Sequence, residues 1–263
     1  KDMEKEVQTD VTKNIENIET QRIEPTQLEV VQNDALTIEE IETGLVYNGS
    51  MVRVADISEE FRKVIEPILR MYNAAMNVTT ARIEIIKDES RYKNVRCPVH
   101  HIDTRLKSAG SILGKLQKKN LDLTIGAACN NIYDIAGVRI VCPYIKDVYF
   151  IRDRILAQDD IEVMKVKDYI EHPKENGYRS YHLIIRVPVF FMNKKQMVPV
   201  EIQIRTMAMD LWASLEHDIS YKAINSKGEY QGDYSEFREE LTECSRLIYE
   251  AEEKMERMNS MLE

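Results

Sequence analysis

The stretch Val198-Pro199-Val200-Glu201-Ile202-Gln203-Ile204-Arg205-Thr206 constrains the fold more than any other part of the chain. Its strict alternation places Val200, Ile202 and Ile204 on one face of a strand and Glu201, Gln203 and Arg205 on the other. The apolar row requires a core beneath it. The polar row is either the wet face of an ordinary half-buried strand or the floor of a cleft. A second carboxylate upstream, Asp134 at the head of the apolar run Tyr133–Cys142, favours the cleft.

At 263 residues the chain is long enough for one large domain with a real core. No apolar run approaches the roughly 18 residues of a membrane span, and no signal-peptide core is visible near the beginning, so a cytoplasmic protein is expected. Cys97, Cys129, Cys142 and Cys244 form no C-x-x-C pair, which fits reduced thiols better than a disulfide scaffold or a zinc site. The net charge of −9 is unevenly placed. Residues 1–60 carry 15 acidic and 5 basic side chains, against 30 and 31 in the remainder. A nearly neutral body does not resemble a general nucleic-acid binder.

Residues 1–50 show little periodicity and are expected to form a poorly ordered acidic extension, with a short helix near 36–43; residues 51–263 then form the domain. From Phe61 to about Lys87 the apolar spacing predicts an amphipathic helix, broken or bent at Pro67. Between Lys87 and Lys119 nine basic residues face three acidic ones. There, a loop leads into a helix carrying Ser111, Lys115 and Lys118 on one side, a solvated face or a polyphosphate contact. Further on, the pattern predicts strands at 133–142, 161–169, 181–190 and 196–205, with Pro188 at an edge or bulge. Helices are predicted at 145–156, 207–221 and 234–263, the last with Phe237, Leu241, Cys244, Leu247 and Ile248 on its apolar side. The 171–180 segment reads as a mobile loop that aims Lys174 and Tyr178 outward. The order implies an α+β domain, a mixed sheet of four or five strands flanked by helices.

Two carboxylates on apolar strands repel one another unless positive charge lies between them. A hard divalent cation with oxygen ligands, Mg²⁺ with nucleotide phosphates, answers that need, with Asp134 and Glu201 as its metal ligands. Together with the basic face of 105–118 and Tyr178 as a stacking surface, this describes a site for two nucleotides and one metal. Neither a Walker A motif nor a kinase signature is present.

Three ordered segments carry a family resemblance: Tyr133-Asp134-Ile135-Ala136-Gly137-Val138-Arg139, Asn176-Gly177-Tyr178-Arg179-Ser180-Tyr181-His182 and Glu201-Ile202-Gln203-Ile204-Arg205-Thr206. They resemble the synthetase motifs of the RelA/SpoT homologues, and the run Met207–His217 is similar to that of the small alarmone synthetases. The resemblance spans about residues 58–260. It implies a nucleotidyltransferase-like sheet and transfer of the β,γ-pyrophosphate of ATP to the 3′-hydroxyl of GDP or GTP, giving ppGpp or pppGpp and AMP. It further implies Asp134 and Glu201 as catalytic residues and Mg²⁺ ligands, Glu201 being also the general base. ATP would be held by Arg105 and Arg139 around adenine and by Lys107, Ser111, Lys115 and Lys118 on the phosphates. The GDP/GTP acceptor would meet Tyr178 and Lys174, with Gln203, Asp210 and His217 in supporting contacts. Homotetramers built through helices are implied as well. A relative that pyrophosphorylates the 3′ end of tRNA shares these motifs and stands as the alternative; a non-catalytic nucleotide- or RNA-binding regulator is disfavoured by the intact Asp134, Tyr178 and Glu201.

Overall fold

A computed structural model describes residues 59–223 and 234–262. The expected acidic extension at 1–50, with its short helix, lies outside the described residues. Helix α1 (Glu59–Tyr92) is followed by β1 (His101–Leu106), α2 (Ala109–Lys118), α3 (Ile125–Asn131), β2 (Ala136–Cys142), α4 (Ile145–Leu156), β3 (Glu162–Asp168), β4 (Tyr181–Phe191), β5 (Lys194–Thr206), α5 (Met207–Ala223) and α6 (Tyr234–Ser260).

The strands form one mixed sheet in the order β1-β2-β5-β4-β3. Only the central pair, β2 and β5, is parallel; β1–β2, β5–β4 and β4–β3 are antiparallel. Alternation gives the sheet one apolar face, on which Val138, Ile140, Leu183, Ile185, Ile202 and Ile204 are all but inaccessible. Helix α1 packs across β1, β2, β5 and β4, and α4 packs on β5 and β2. The ion pairs Arg82–Asp160 and Arg154–Glu89 tie α1 to the C-terminal end of α4 and the turn after it. With its back covered, the sheet leaves its polar face for chemistry.

Four expectations need correction. Helix α1 is unbroken through Pro67 and continues to Tyr92; Pro67 is exposed, where water can satisfy the carbonyl its ring leaves unpaired. Strand β2 starts at Ala136, so Asp134 sits in the turn two residues before it rather than within the strand. An additional strand, β1, occupies what reads as loop. Its sequence HIDTRL has no apolar row because it pairs on one side only. The short α3, capped by Thr124, was likewise silent, being seven residues rich in Ala, Gly and Asn. Pro188, in contrast, lies where an edge was expected. β4 pairs with β3 only up to Arg186, so beyond that point its outer side is open. None of the four cysteines is bridged.

Candidate active site

Two rows of residues cross the polar face at matched register. The first runs Arg105, Gly137, Glu201, Ile184. The second runs Asp103, Arg139, Gln203, His182, Lys167. Gly137 contributes no side chain between Arg105 and Glu201, which leaves an opening in the floor beside the carboxylate; a Cβ there would meet nothing closer than the Arg105 carbonyl at 3.5 Å. Arg105 and Arg139 lie diagonally on adjacent strands, a separation from which both can reach one flat group.

Asp134 lies at the mouth of this floor. Its Oδ2 accepts from Lys115 Nζ at 2.6 Å and pairs with Lys107 Nζ at 3.1 Å. Burial alone would raise the Asp134 pKa, but the two ammonium groups outweigh it and hold the carboxyl below its ordinary range. Its other oxygen, Oδ1, is buried without any hydrogen-bond partner. An ionised carboxylate oxygen left without a donor has the chemistry of a ligand for a hard cation.

Glu201 is held by a ring of side chains. Gln203 Nε2 donates to Glu201 Oε2 at 3.0 Å, and Arg205 Nη2 donates to Gln203 Oε1 at 2.9 Å. The same Arg205 nitrogen donates to the Tyr178 hydroxyl at 2.8 Å, which lies 2.8 Å from His182 Nε2. His182 Nδ1 faces Glu201 Oε1 at 3.6 Å and closes the circle. Burial and the nearby Asp134 charge push the Glu201 pKa up; His182 and Gln203 overcome them and keep it ionised. Burial, helped by Arg205 and Lys174, pushes His182 down, so its neutral form is favoured. Asp210 backs the ring: its Oδ1 is 3.1 Å from Arg205 and 3.3 Å from Arg139.

Tyr178 does not point outward. It is half-buried among Tyr169, His182 and Trp212, with Lys174 Nζ 4.5 Å above its ring. The loop closes on itself through Gly177 N–H to the Lys174 carbonyl, with Gly177 at φ +84°, a conformation glycine adopts at little cost. The structure therefore brings Asp134, Lys107 and Lys115 into one cluster. Glu201, Gln203, Tyr178, Lys174, Arg139 and Asp210 form a second. Arg105 is exposed on β1, while Ser111, joined to Ser108, and Lys118 lie on the exposed side of α2. His217 is exposed two turns beyond Asp210 and touches neither cluster. His182 and Arg205 were not picked out as site residues, although the alternation that marked Glu201 also places both on the polar face.

The residue pattern matches known proteins. A model of the region found in RelA / SpoT proteins covers residues 104–226. GTP pyrophosphokinase YwaC of Bacillus subtilis (strain 168) is 41% identical over 187 residues, 71% of this chain and 86% of that protein. GTP pyrophosphokinase YjbM of the same organism is 35% identical over 157 residues, 60% of this chain and 73% of its own. The crystal structure of small alarmone synthetase 1 from Bacillus subtilis bound to its product pppGpp superposes with a TM-score of 0.66 at 28% identity, covering 78% of this chain and 99% of that one. Small alarmone synthetase 2 of that organism gives 0.63 at 39% identity, covering 73% and 97%. The chain belongs to the RelA/SpoT family, in its small alarmone synthetase branch. The five-stranded sheet is the nucleotidyltransferase-like sheet of that branch.

In this RelA/SpoT family member, α6 braces the Tyr178 loop from behind. Ser245 Oγ donates to the Gly177 carbonyl at 2.5 Å, Thr242 Oγ1 to the Glu175 carbonyl at 3.1 Å, and the Arg179 guanidinium lies 3.9 Å over the Tyr249 ring. The face of α6 turned inward therefore carries polar Ser245 and Glu252, whereas Cys244 and Leu247, expected on the buried side, are exposed. The helix docks by capturing loop carbonyls, so its apolar periodicity misreports its orientation. Glu252 lines a cavity of about 10 Å³ with Arg179, Trp212 and Tyr249. Burial first, then Glu256, pushes its carboxyl up from 4.5 to about 7, against the opposing pull of Thr206 and Arg179.

A carboxyl raised on folding stabilises the native state fully below its unfolded pKa, and that contribution is lost as pH rises through the folded one. Glu252→Gln should therefore match the parent chain near pH 4 and exceed its stability by about 1–3 kcal/mol at pH 8. Urea denaturation at the two pH values measures this; an equal difference at both would show that Glu252 does not titrate in the folded protein.

Proposed function

We propose that this chain synthesises (p)ppGpp, moving the β,γ-pyrophosphate of ATP to the 3′-hydroxyl of GDP or GTP. The observation that carries the reading is the pairing of Asp134, neutralised by Lys107 and Lys115, with the ring-held Glu201 on the floor of one cleft. The relatives named above are GTP pyrophosphokinases, and one related structure holds pppGpp. The names of these relatives lend nothing to tRNA as acceptor.

In this reading Lys107 and Lys115 receive ATP phosphates and offset their charge, with Ser111 and Lys118 reaching the same phosphates from the exposed side of α2. Arg105 and Arg139 take the adenine between them. The acceptor guanine stacks on Tyr178, with Lys174 near its phosphates and Gln203 and Asp210 beneath; His217 would join only at the rim. The 3′-oxygen attacks the β-phosphorus, the bond from that phosphorus to the oxygen of AMP breaks, and the hydroxyl proton passes to Glu201. A carboxylate held ionised is a weak base for a sugar hydroxyl, so its contribution depends on placement.

Asp134 Oδ1 and Glu201 fit Mg²⁺, an oxygen-seeking cation that one or two carboxylates hold together with substrate phosphates. Among the described residues no group of three or more His, Cys, Asp or Glu side chains is placed to hold a metal alone, which fits a cation arriving with the nucleotide. When bound, Mg²⁺ supplies further neutralisation of phosphate charge.

The reading also includes a homo-oligomer, a tetramer by family resemblance. Met207, Leu211, Leu215 and Ile219 form an exposed apolar stripe at four-residue spacing on α5, and Leu247, Met255 and Met258 are exposed on α6. A second copy of the chain would cover them. No described helix is long and apolar enough to cross a membrane.

Three outcomes test this. Glu201→Gln should keep the fold and lose about 10²–10⁴ in kcat; a folded variant with near-normal turnover removes Glu201 from the chemistry. Tyr178→Ala should raise the guanine nucleotide KM about five- to 150-fold, the worth of one stacked base, while the ATP KM moves little; the reverse pattern exchanges the two nucleotide sites. Light scattering should find the parent chain as a tetramer and the double substitution Leu211→Glu, Leu215→Glu as a smaller species. A monomeric parent chain contradicts the assembly.

A further inference from the structure

Each member of the ring around Glu201 has an evident task except His182. In the reading above Glu201 meets the acceptor's 3′-hydroxyl and Tyr178 its guanine, Gln203 links Glu201 to Arg205 along β5, and Arg205 carries that link on to the Tyr178 hydroxyl. His182 is the member of the ring that itself meets both Glu201 and Tyr178. It stands beside Gln203 across the β4–β5 register, its side chain is only 13% exposed, and its two ring nitrogens meet different partners. Nε2 is 2.8 Å from the Tyr178 hydroxyl, and Nδ1 is 3.6 Å from Glu201 Oε1.

Donor accounting points to one arrangement. The Tyr178 oxygen already accepts from Arg205 Nη2, so its own proton is free to be donated, and the acceptor within reach is His182 Nε2. A nitrogen that accepts cannot carry the proton, which therefore sits on Nδ1 and points at Glu201. Glu201 and Arg205 face His182 from β5, Lys174 from the loop, and Lys167 across the β3 pairing. Tyr169, 5.3 Å away and edge-on, packs the ring in place.

We propose that His182 is a positioning residue that holds the Glu201 carboxylate and the Tyr178 ring in one frame, so that acceptor recognition and base orientation are set together. The proposal rests on the reading of Glu201 as base and Tyr178 as guanine platform. The Nδ1–Glu201 separation is longer than a hydrogen bond, as contacts around catalytic groups often are before substrate tightens them. Because the histidine spans the two elements, a guanine that shifts Tyr178 also shifts the donor that aims Glu201. A misplaced base costs turnover; a misplaced platform costs affinity. The two nitrogens thus control two different kinetic constants.

Two conservative substitutions separate them. The amide nitrogen of Asn falls near Nδ1 and keeps a donor for Glu201 while losing Tyr178. The amide of Gln falls near Nε2 and keeps an acceptor for Tyr178 while losing Glu201. His182→Asn should raise the acceptor KM and calorimetric Kd about tenfold with a smaller loss of kcat. His182→Gln should lower kcat about 10- to 100-fold with a smaller change in acceptor Kd, the size expected when a positioned group is loosened rather than removed. Equal losses in both constants for both variants, or no loss in either, overturn the proposal. A parent chain that makes no alarmone would instead overturn the functional reading.

Histidine ¹⁵N resonances of the parent chain give a readout that does not depend on variant folding or on turnover. The proton of His182 should reside on Nδ1 with Nε2 bare. A proton on Nε2 alone contradicts the proposal whatever the variants do.

Discussion

Two carboxylates share one cleft, and the surrounding structure is arranged so that both remain ionised. Asp134 and Glu201 repel each other and both are partly withdrawn from water, each of which favours a proton on at least one of them. Lys107 and Lys115 answer the first carboxylate with full positive charge. The second is answered differently, by the Gln203 amide that donates to it and by the His182 ring that faces it. This asymmetry gives the two groups different characters. Asp134 takes both ammonium groups on one oxygen and no donor on the other, whereas Glu201 is held by neutral side chains on both.

The fold makes this possible through the parallel β2–β5 pair at the centre of the sheet. Parallel pairing places Gly137 directly beside Glu201 and Arg139 beside Gln203. The turn before β2 carries Asp134 to the same end of the sheet. Helix α1, packed behind four of the five strands, supplies the rigid backing. Helix α6 does comparable work for the Tyr178 loop, but through loop carbonyls and a buried acid, which makes that side the more sensitive to pH.

The sequence made the central part of this legible because period-two alternation in β5 assigns each side chain to a face without further information. The same rule, applied to Tyr181–His182–Leu183, would have identified His182. It stayed hidden because a single histidine beside an apolar run carries no charge pattern of its own. β1 escaped notice since an edge strand with polar side chains on both faces has no alternation to read. The outward aim assigned to Tyr178 failed for a tertiary reason: Arg205, His182 and Trp212 come from three separate segments, and only folding brings them around the phenol. The orientation of α6 was misread because its partner is backbone, which leaves no apolar signature.

The most direct test of the account is the fate of label from ATP. The chain would be incubated with Mg²⁺, ATP labelled on its β- and γ-phosphates, and GDP, GTP or tRNA in turn, and the products separated. Label should appear in a guanine nucleotide bearing a 3′-diphosphate, with one AMP released per transfer, and should be lost when Asp134→Asn replaces the parent chain. Label at the end of tRNA, or ADP in place of AMP, would contradict it.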